Sequence, residues 1–184
     1  MAAATIQLEI VTPEGVQLQT SVEELTAPSV KGEFGVLPEH RPLLAALRTG
    51  LVTYRIGGET SSVAIGPGFA RVVDDNAVII TEKFIKKADV DAVLVRKELK
   101  EADDALNQLA REPLDDAGRN HVLELIAALR WAAARLELYG DPPPPTVVLQ
   151  HEMRLMSHED YSQTLVQSDR EEAHVEHEGS VKED

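Results

Sequence analysis

The chain has 184 residues, 43% of them hydrophobic, with 18 Lys plus Arg against 32 Asp plus Glu and a formal net charge of -14. This length suits one domain or two small ones, and the acidic balance disfavours nucleic acid or an anionic membrane surface as the main partner, because both need a basic face. The absence of cysteine excludes disulfide scaffolds, thiolate nucleophiles, iron–sulfur clusters and Cys-based zinc sites.

The opening, MAAATIQLEIV, lacks the charged and apolar regions of a signal peptide, and no apolar run approaches the roughly 20 residues that span a bilayer. A soluble, cytosolic protein is expected. From Thr5 to about Thr81 the pattern is that of strands. Ile6, Leu8 and Ile10 alternate with Gln7 and Glu9, the period of a sheet with one buried face. Similar runs follow: LVTYRI from Leu51, SSVAI ending at Ile65, FARVV from Phe69 and AVIIT from Ala77. Between them lie turn formers, Pro13-Glu14-Gly15, Gly57-Gly58, Gly66-Pro67-Gly68 and Asp74-Asp75-Asn76. So many short strands in about 80 residues predict a compact antiparallel sandwich or barrel.

The period then changes. Ala88, Ala92, Val95, Leu99, Ala102, Leu106 and Leu109 recur at alternating spacings of four and three, a helical seam. An interruption at 111–115 follows, and Val122, Ile126, Leu129, Ala133 and Leu136 resume the same spacing. The second helix is expected to start at Asp115 or Asp116, either of which can cap it, and the short break makes the helices antiparallel neighbours. Such a hairpin has little core of its own and must stay marginal, pack on the sandwich or bury its seam on another protein.

Four prolines, Pro142 to Pro145, then mark a domain edge near residue 140. Residues 141–184 hold 3 basic and 11 acidic side chains and thus -8 of the net charge. The segment TVVLQHEMRLM suits one strand or a short amphipathic helix, and beyond Ser157 disorder is expected. The fold class is therefore α+β: an N-terminal antiparallel β-sandwich (1–86), an antiparallel two-helix hairpin (87–140) and an acidic tail (141–184).

Catalytic chemistry is not legible. The glycines near Gly32 and Gly66 lack Walker spacing, and residues 1–140 contain only His40 and His121, neither in a triad-like setting. The acid pairs Glu23-Glu24, Asp103-Asp104 and Asp115-Asp116 read as solvated faces or helix caps. In the tail, His174 and His177 stand among glutamates of acceptable ligand type, but without a rigid frame no metal site is expected. No cofactor is expected either.

One stretch is more specific: GEFGVLPEHRPLLAALRTGLVTYRIGGE, from Gly32 to Glu59, continuing through VAIGPGFARVVDDNAVIITE to Glu82. It closely resembles the signature of the epsilon subunit of F-type ATP synthases, and the resemblance covers about residues 5 to 139. The resemblance implies a non-catalytic rotor-stalk subunit, peripheral on the cytoplasmic face of the bacterial inner membrane, that helps couple proton flow to ATP synthesis. The sandwich would bind the gamma subunit and sit by one loop on the ring of c subunits. In that family pattern Gly32, Glu33, Phe34 and Gly35 form the c-ring-facing loop, and His40 lies near the gamma and c contact.

The same resemblance implies that the two helices can extend along gamma towards the alpha and beta subunits and inhibit ATP hydrolysis, with Arg119, Arg130 and Arg135 as the basic residues available to meet an acidic beta segment. Two departures stand out. In the ATP-binding pattern of some members only Asp91 matches, since Leu94 stands where an arginine is needed and Val95 replaces an alanine, so nucleotide sensing is doubtful here. The tail after Tyr139 is the other. Composition and periodicity alone leave a free-standing β-sandwich adaptor, whose hairpin binds another protein, as the alternative; the resemblance favours the stalk subunit.

Overall fold

The computed structural model describes residues 4–110 and 116–153. Ten strands come first: β1 (Ile6–Thr12), β2 (Gly15–Val22), β3 (Glu24–Ser29), β4 (Gly32–Val36), β5 (Leu43–Leu47), β6 (Gly50–Ile56), β7 (Glu59–Ile65), β8 (Gly68–Val73), β9 (Asn76–Thr81) and β10 (Phe84–Lys86). A single 3₁₀ turn, Lys87–Asp89, leads to α1 (Ala92–Leu109) and α2 (Asp116–Tyr139).

The strands form two layers. One runs β10-β7-β6-β3 with β4 also on β3, the other β5-β8-β9-β1-β2, and the single pair Ser29 with Leu47 joins them. Alternation along each strand turns Ile6, Leu8, Ile10, Leu25, Val52, Val63, Ile65, Val72 and Ile79 into one core between the layers. The sandwich is antiparallel as expected, except that β1 and β9 pair parallel, Gln7 with Asn76 through Val11 with Ile80. A parallel pair needs a long crossover, and the seven intervening strands supply it. Five strands did not show in the sequence pattern: β2, β3, β4, β5 and β10.

The turns explain several residues. Gly57 and Gly58 both have positive φ, at 59° and 81°, the two-residue hairpin that a right-handed strand twist favours. Asp74 and Asp75 adopt the same region without being glycine, with φ of 48° and 57°. Their turn is held by neighbours: the Gln7 amide donates to the Asp75 carbonyl at 2.7 Å and the Glu39 amide to Asp75 Oδ1 at 2.6 Å.

The helices pack antiparallel on each other and on the outer face of β6 and β7. On β7 the period of two sends Val63 and Ile65 into the sandwich core, while Ala64 faces outwards beneath the hairpin. There Ala64 and Leu51 meet Val90 just before α1, Ala92 and Val95 from its start and Ala132, Ala134, Leu136 and Leu138 from the end of α2. The seam read from the sequence is thus one of two buried faces of α2. Ala88, the first member of the other seam, is exposed and lies in the 3₁₀ turn, because α1 starts only after Asp91 caps it.

Helix α2 ends at a glycine for a reason. Gly140 has φ of 104°, its amide donates to the Glu137 carbonyl at 3.1 Å, and the Asp141 amide reaches the Leu136 carbonyl at 2.9 Å. These two bonds are the Schellman closure of a helix end.

The chain divides into two units, Met1–Pro144 and Pro145–Asp184. In the second, residues 145–153 are helical, so of strand and helix the tail's apolar beginning takes helix. Proline suits a first helical position, where its missing amide is not needed and its fixed φ is already helical. The expected disorder beyond Ser157 falls outside the described residues.

Gly68 makes the closest backbone approach. A Cβ there would lie 2.0 Å from the Ile80 carbonyl oxygen and 2.9 Å from the Thr81 Cα. Neither is a movable side-chain end. Gly68→Ala is expected to destabilise the sandwich by about 3 kcal/mol or more, measured as a lowered midpoint in urea unfolding followed by circular dichroism.

Candidate functional site

The segment expected as a c-ring-facing loop is a strand. Gly32, Glu33, Phe34 and Gly35 form most of β4, paired with Ser29, Pro28, Ala27 and Thr26 of β3. The family pattern implied a loop, but pairing to β3 draws the segment into the sheet and Phe34 packs against the sandwich core. The turn itself is Val30 and Lys31, stapled by Ser29 Oγ, which donates to the Gly32 carbonyl at 2.7 Å and accepts from the Lys31 amide at 3.2 Å. Glu33 is exposed.

His40 lies beyond the other end of β4. Its Nδ1 sits 2.7 Å from the Arg41 carbonyl oxygen and its amide donates to Leu37 at 3.1 Å. Six residues lie between the two candidates, and the three of them in β4 alone carry the chain about 10 Å at ~3.3 Å per residue. The structure therefore does not bring Glu33 and His40 together. Around the Val30–Lys31 turn stand other connections instead, since the Val30 amide donates to the Ala46 carbonyl and the Arg48 amide to that of Pro28, each at 3.1 Å.

A surface that sequence reasoning missed crosses the second layer. The register places Val16, Val11, Ile80, Phe69 and Ala46 side by side on successive strands β2, β1, β9, β8 and β5. All five point away from the core. Val16, Phe69 and Ile80 are 55%, 59% and 59% exposed. The next row holds Glu9, Val78, Arg71 and Leu44, the last 74% exposed. An apolar row five strands wide is a contiguous patch rather than scattered surface hydrophobics. The outer face of the first layer is covered by the hairpin; this one is bare among the described residues. Only cross-strand register, which one sequence does not supply, reveals the row.

On the hairpin, Asp91 is the N-cap of α1, with Oδ1 accepting from the Val93 and Leu94 amides at 3.0 and 3.1 Å. That role accounts for the residue without a nucleotide. Arg119 and Arg130, eleven residues apart, fall within ~20° of each other around the helix, whereas Arg135 lies ~140° further round. The first two are exposed. Arg135 is largely buried and pairs with Glu98 of α1.

The acid pair Glu23-Glu24 is likewise occupied, since Arg55 reaches Glu23 at 3.2 Å and Glu24 at 3.1 Å. Burial raises the Tyr54 phenol above its usual value, so it stays neutral at physiological pH. Among the described residues no group of three or more His, Asp or Glu could hold a metal ion. No helix among them is long and apolar enough to cross a membrane. His174, His177 and their glutamates lie outside the described residues.

The beta-sandwich domain of the ATP synthase Delta/Epsilon chain matches residues 5–87. An ATP synthase epsilon chain from Nitratidesulfovibrio vulgaris (strain DP4) is 36% identical over 137 residues, 74% of this chain and 97% of its own length. The chain belongs to the ATP synthase epsilon chain family. An epsilon chain of Trichlorobacter lovleyi is 37% identical over 138 residues, 75% of this chain and 96% of that one. A chain in a cryo-EM structure of the Euglena gracilis mitochondrial ATP synthase, which includes the c-ring, aligns with a TM-score of 0.60 and 28% identity over 73% of this chain and 80% of its own. These epsilon-chain matches run well beyond the 83 residues of the sandwich match, and about a quarter of this chain lies outside them.

If Asp91 acts as a cap, Asp91→Ala should lower stability by ~1 kcal/mol while Asp91→Asn, which caps as well, costs much less. Thermal unfolding of the two variants, followed by helical circular dichroism, distinguishes them.

Proposed function

We propose that the chain is a non-catalytic central-stalk subunit of an F-type ATP synthase, working on the cytoplasmic face of a bacterial inner membrane and coupling c-ring rotation to ATP synthesis. The observation that carries this reading is the bare apolar row on β2, β1, β9, β8 and β5 in a member of the epsilon chain family. A rotor subunit must hold its shaft through many turnovers, and a flat face with aromatic and β-branched side chains at its centre provides area without the cost of ordering long polar chains. The gamma subunit is the occupant proposed for this face.

The Val30–Lys31 turn and Glu33 are proposed to face the polar loops of the c-ring, at the end of the sandwich remote from His40. His40 remains a candidate for the gamma side only. The hairpin, seated through a small patch of alanines, valines and leucines, is proposed to leave that seat and inhibit ATP hydrolysis at the alpha and beta subunits. Arg119 and Arg130, exposed on one helix face, are the residues proposed for an acidic beta segment.

Titration of the full chain with a cognate gamma subunit on a size-exclusion column tests the assignment. Phe69→Asp and Ile80→Asp should each weaken the complex at least about tenfold with unchanged circular dichroism, because both side chains are already exposed. Removal of residues 145–184 should leave binding intact. Absence of any complex at micromolar concentration would favour the free-standing adaptor. In the reassembled enzyme, Glu33→Lys should lower ATP-driven proton pumping while assembly is retained, measured by quenching of a pH-sensitive dye.

A further inference from the structure

The hairpin and the sandwich meet at one charged cluster built around Trp131, the single tryptophan of the chain. Lys83, in the β9–β10 connection of the sandwich, holds its Nζ 5.8 Å from the centre of the Trp131 ring. The Arg135 guanidinium carbon stands 5.4 Å from the same ring. From there the guanidinium pairs with Glu98 of α1, and its Nε donates to the Trp131 carbonyl at 3.4 Å. The Arg135 side chain is 12% exposed and that of Glu98 39%.

Three elements are thereby tied through one side-chain chain: the sandwich by Lys83, α2 by Trp131 and Arg135, and α1 by Glu98. Each link has a physical cause. A cation over the face of an indole is attracted by the ring's negative potential, and more so as it loses water. An arginine–carboxylate bond is charge-assisted, and where it is partly shielded it is weakened less by salt than a surface pair. Another tie, Arg96 with Asp141 at 2.7 Å, has both side chains about half exposed and is correspondingly weaker.

We propose that Lys83, Trp131, Arg135 and Glu98 form a clamp that keeps α1 and α2 together and seats the pair on the sandwich. The clamp takes Arg135 away from the partner-facing set: its charge is engaged inside the hairpin, and any movement of α2 off the sandwich must first separate Trp131 from Lys83. Because removing one partner leaves the other half-buried and unpaired, the links behave as a unit rather than as independent contacts.

The tryptophan supplies the reporter. In the full chain, Glu98→Gln and Arg135→Gln should each speed hydrogen exchange of the protected α1 and α2 amides by on the order of tenfold, and the double variant should do little more than either alone. The amides of β1, β8 and β9 should be unaffected, and the Trp131 emission should shift to the red. Lys83→Met should shift the emission without speeding exchange in those strands. Additive effects of the two single changes, equal acceleration in the sandwich strands, or unchanged exchange and emission in all variants would each overturn the clamp.

Discussion

Ala64 has no exposed surface although it points away from the sandwich core, because the hairpin lies directly on it. The seating of α1 and α2 depends on how little space that side chain takes. Around it the helices offer Ala92, Ala132 and Ala134, so backbones approach closely and Leu51, Val95, Leu136 and Leu138 close the margins. The result is a shallow contact of small groups. It buries little apolar area per residue, and stabilisation scales with that area. A strand buried on both sides, Val63 and Ile65 inwards and Ala64 outwards, therefore joins a robust core to a weakly held one.

The two outer faces of the sandwich consequently differ in kind. One is self-covered by helices that a modest free energy retains; the other is apolar and bare from Val16 across to Ala46. A permanent partner suits the second, since nothing of the described chain competes for it. The first suits a reversible arrangement, because its occupant belongs to the same chain and stays at high local concentration when released. Charge adds selectivity to the covered side: Lys83 and Arg135 stand at one ring, and Glu98 pairs with Arg135.

Much of this was legible from residues alone where the pattern is local. Ile6, Leu8 and Ile10 alternate because β1 has one buried face, and Gly57-Gly58 marks a turn whose two positive φ angles favour glycine. What escaped was whatever tertiary pairing decides. Gly32 to Gly35 is a loop in the family pattern, and only the ladder from Thr26 to Ser29 makes it a strand. The central residues of β5, Ala45 and Ala46, do not alternate in hydrophobicity, and β10 is three residues long. On α2, the seam from Val122 to Leu136 shows in the sequence, while Ala132, Ala134 and Leu138 are small or few enough that a second buried face leaves no clear period. The family motif names Gly32 to Gly35 and His40 together, but that the first four lie in β4 and His40 beyond its end is a fact of strand pairing that no motif contains.

The parallel pairing of β1 with β9 has a bearing on the order of assembly. β1 can form a hairpin with β2 as soon as both are made, yet its other edge stays open until the chain has been extended to the end of β9 at Thr81. Contacts this distant in sequence close late and slowly. The platform for the hairpin, β6 and β7, belongs to that same closure, while α1 and α2 are neighbours in sequence and quick to meet. Synthesis from the N-terminus thus completes the seat before it delivers the helices that sit on it. A chain with the helices first would present their apolar faces to solvent for as long as the ten strands took to emerge.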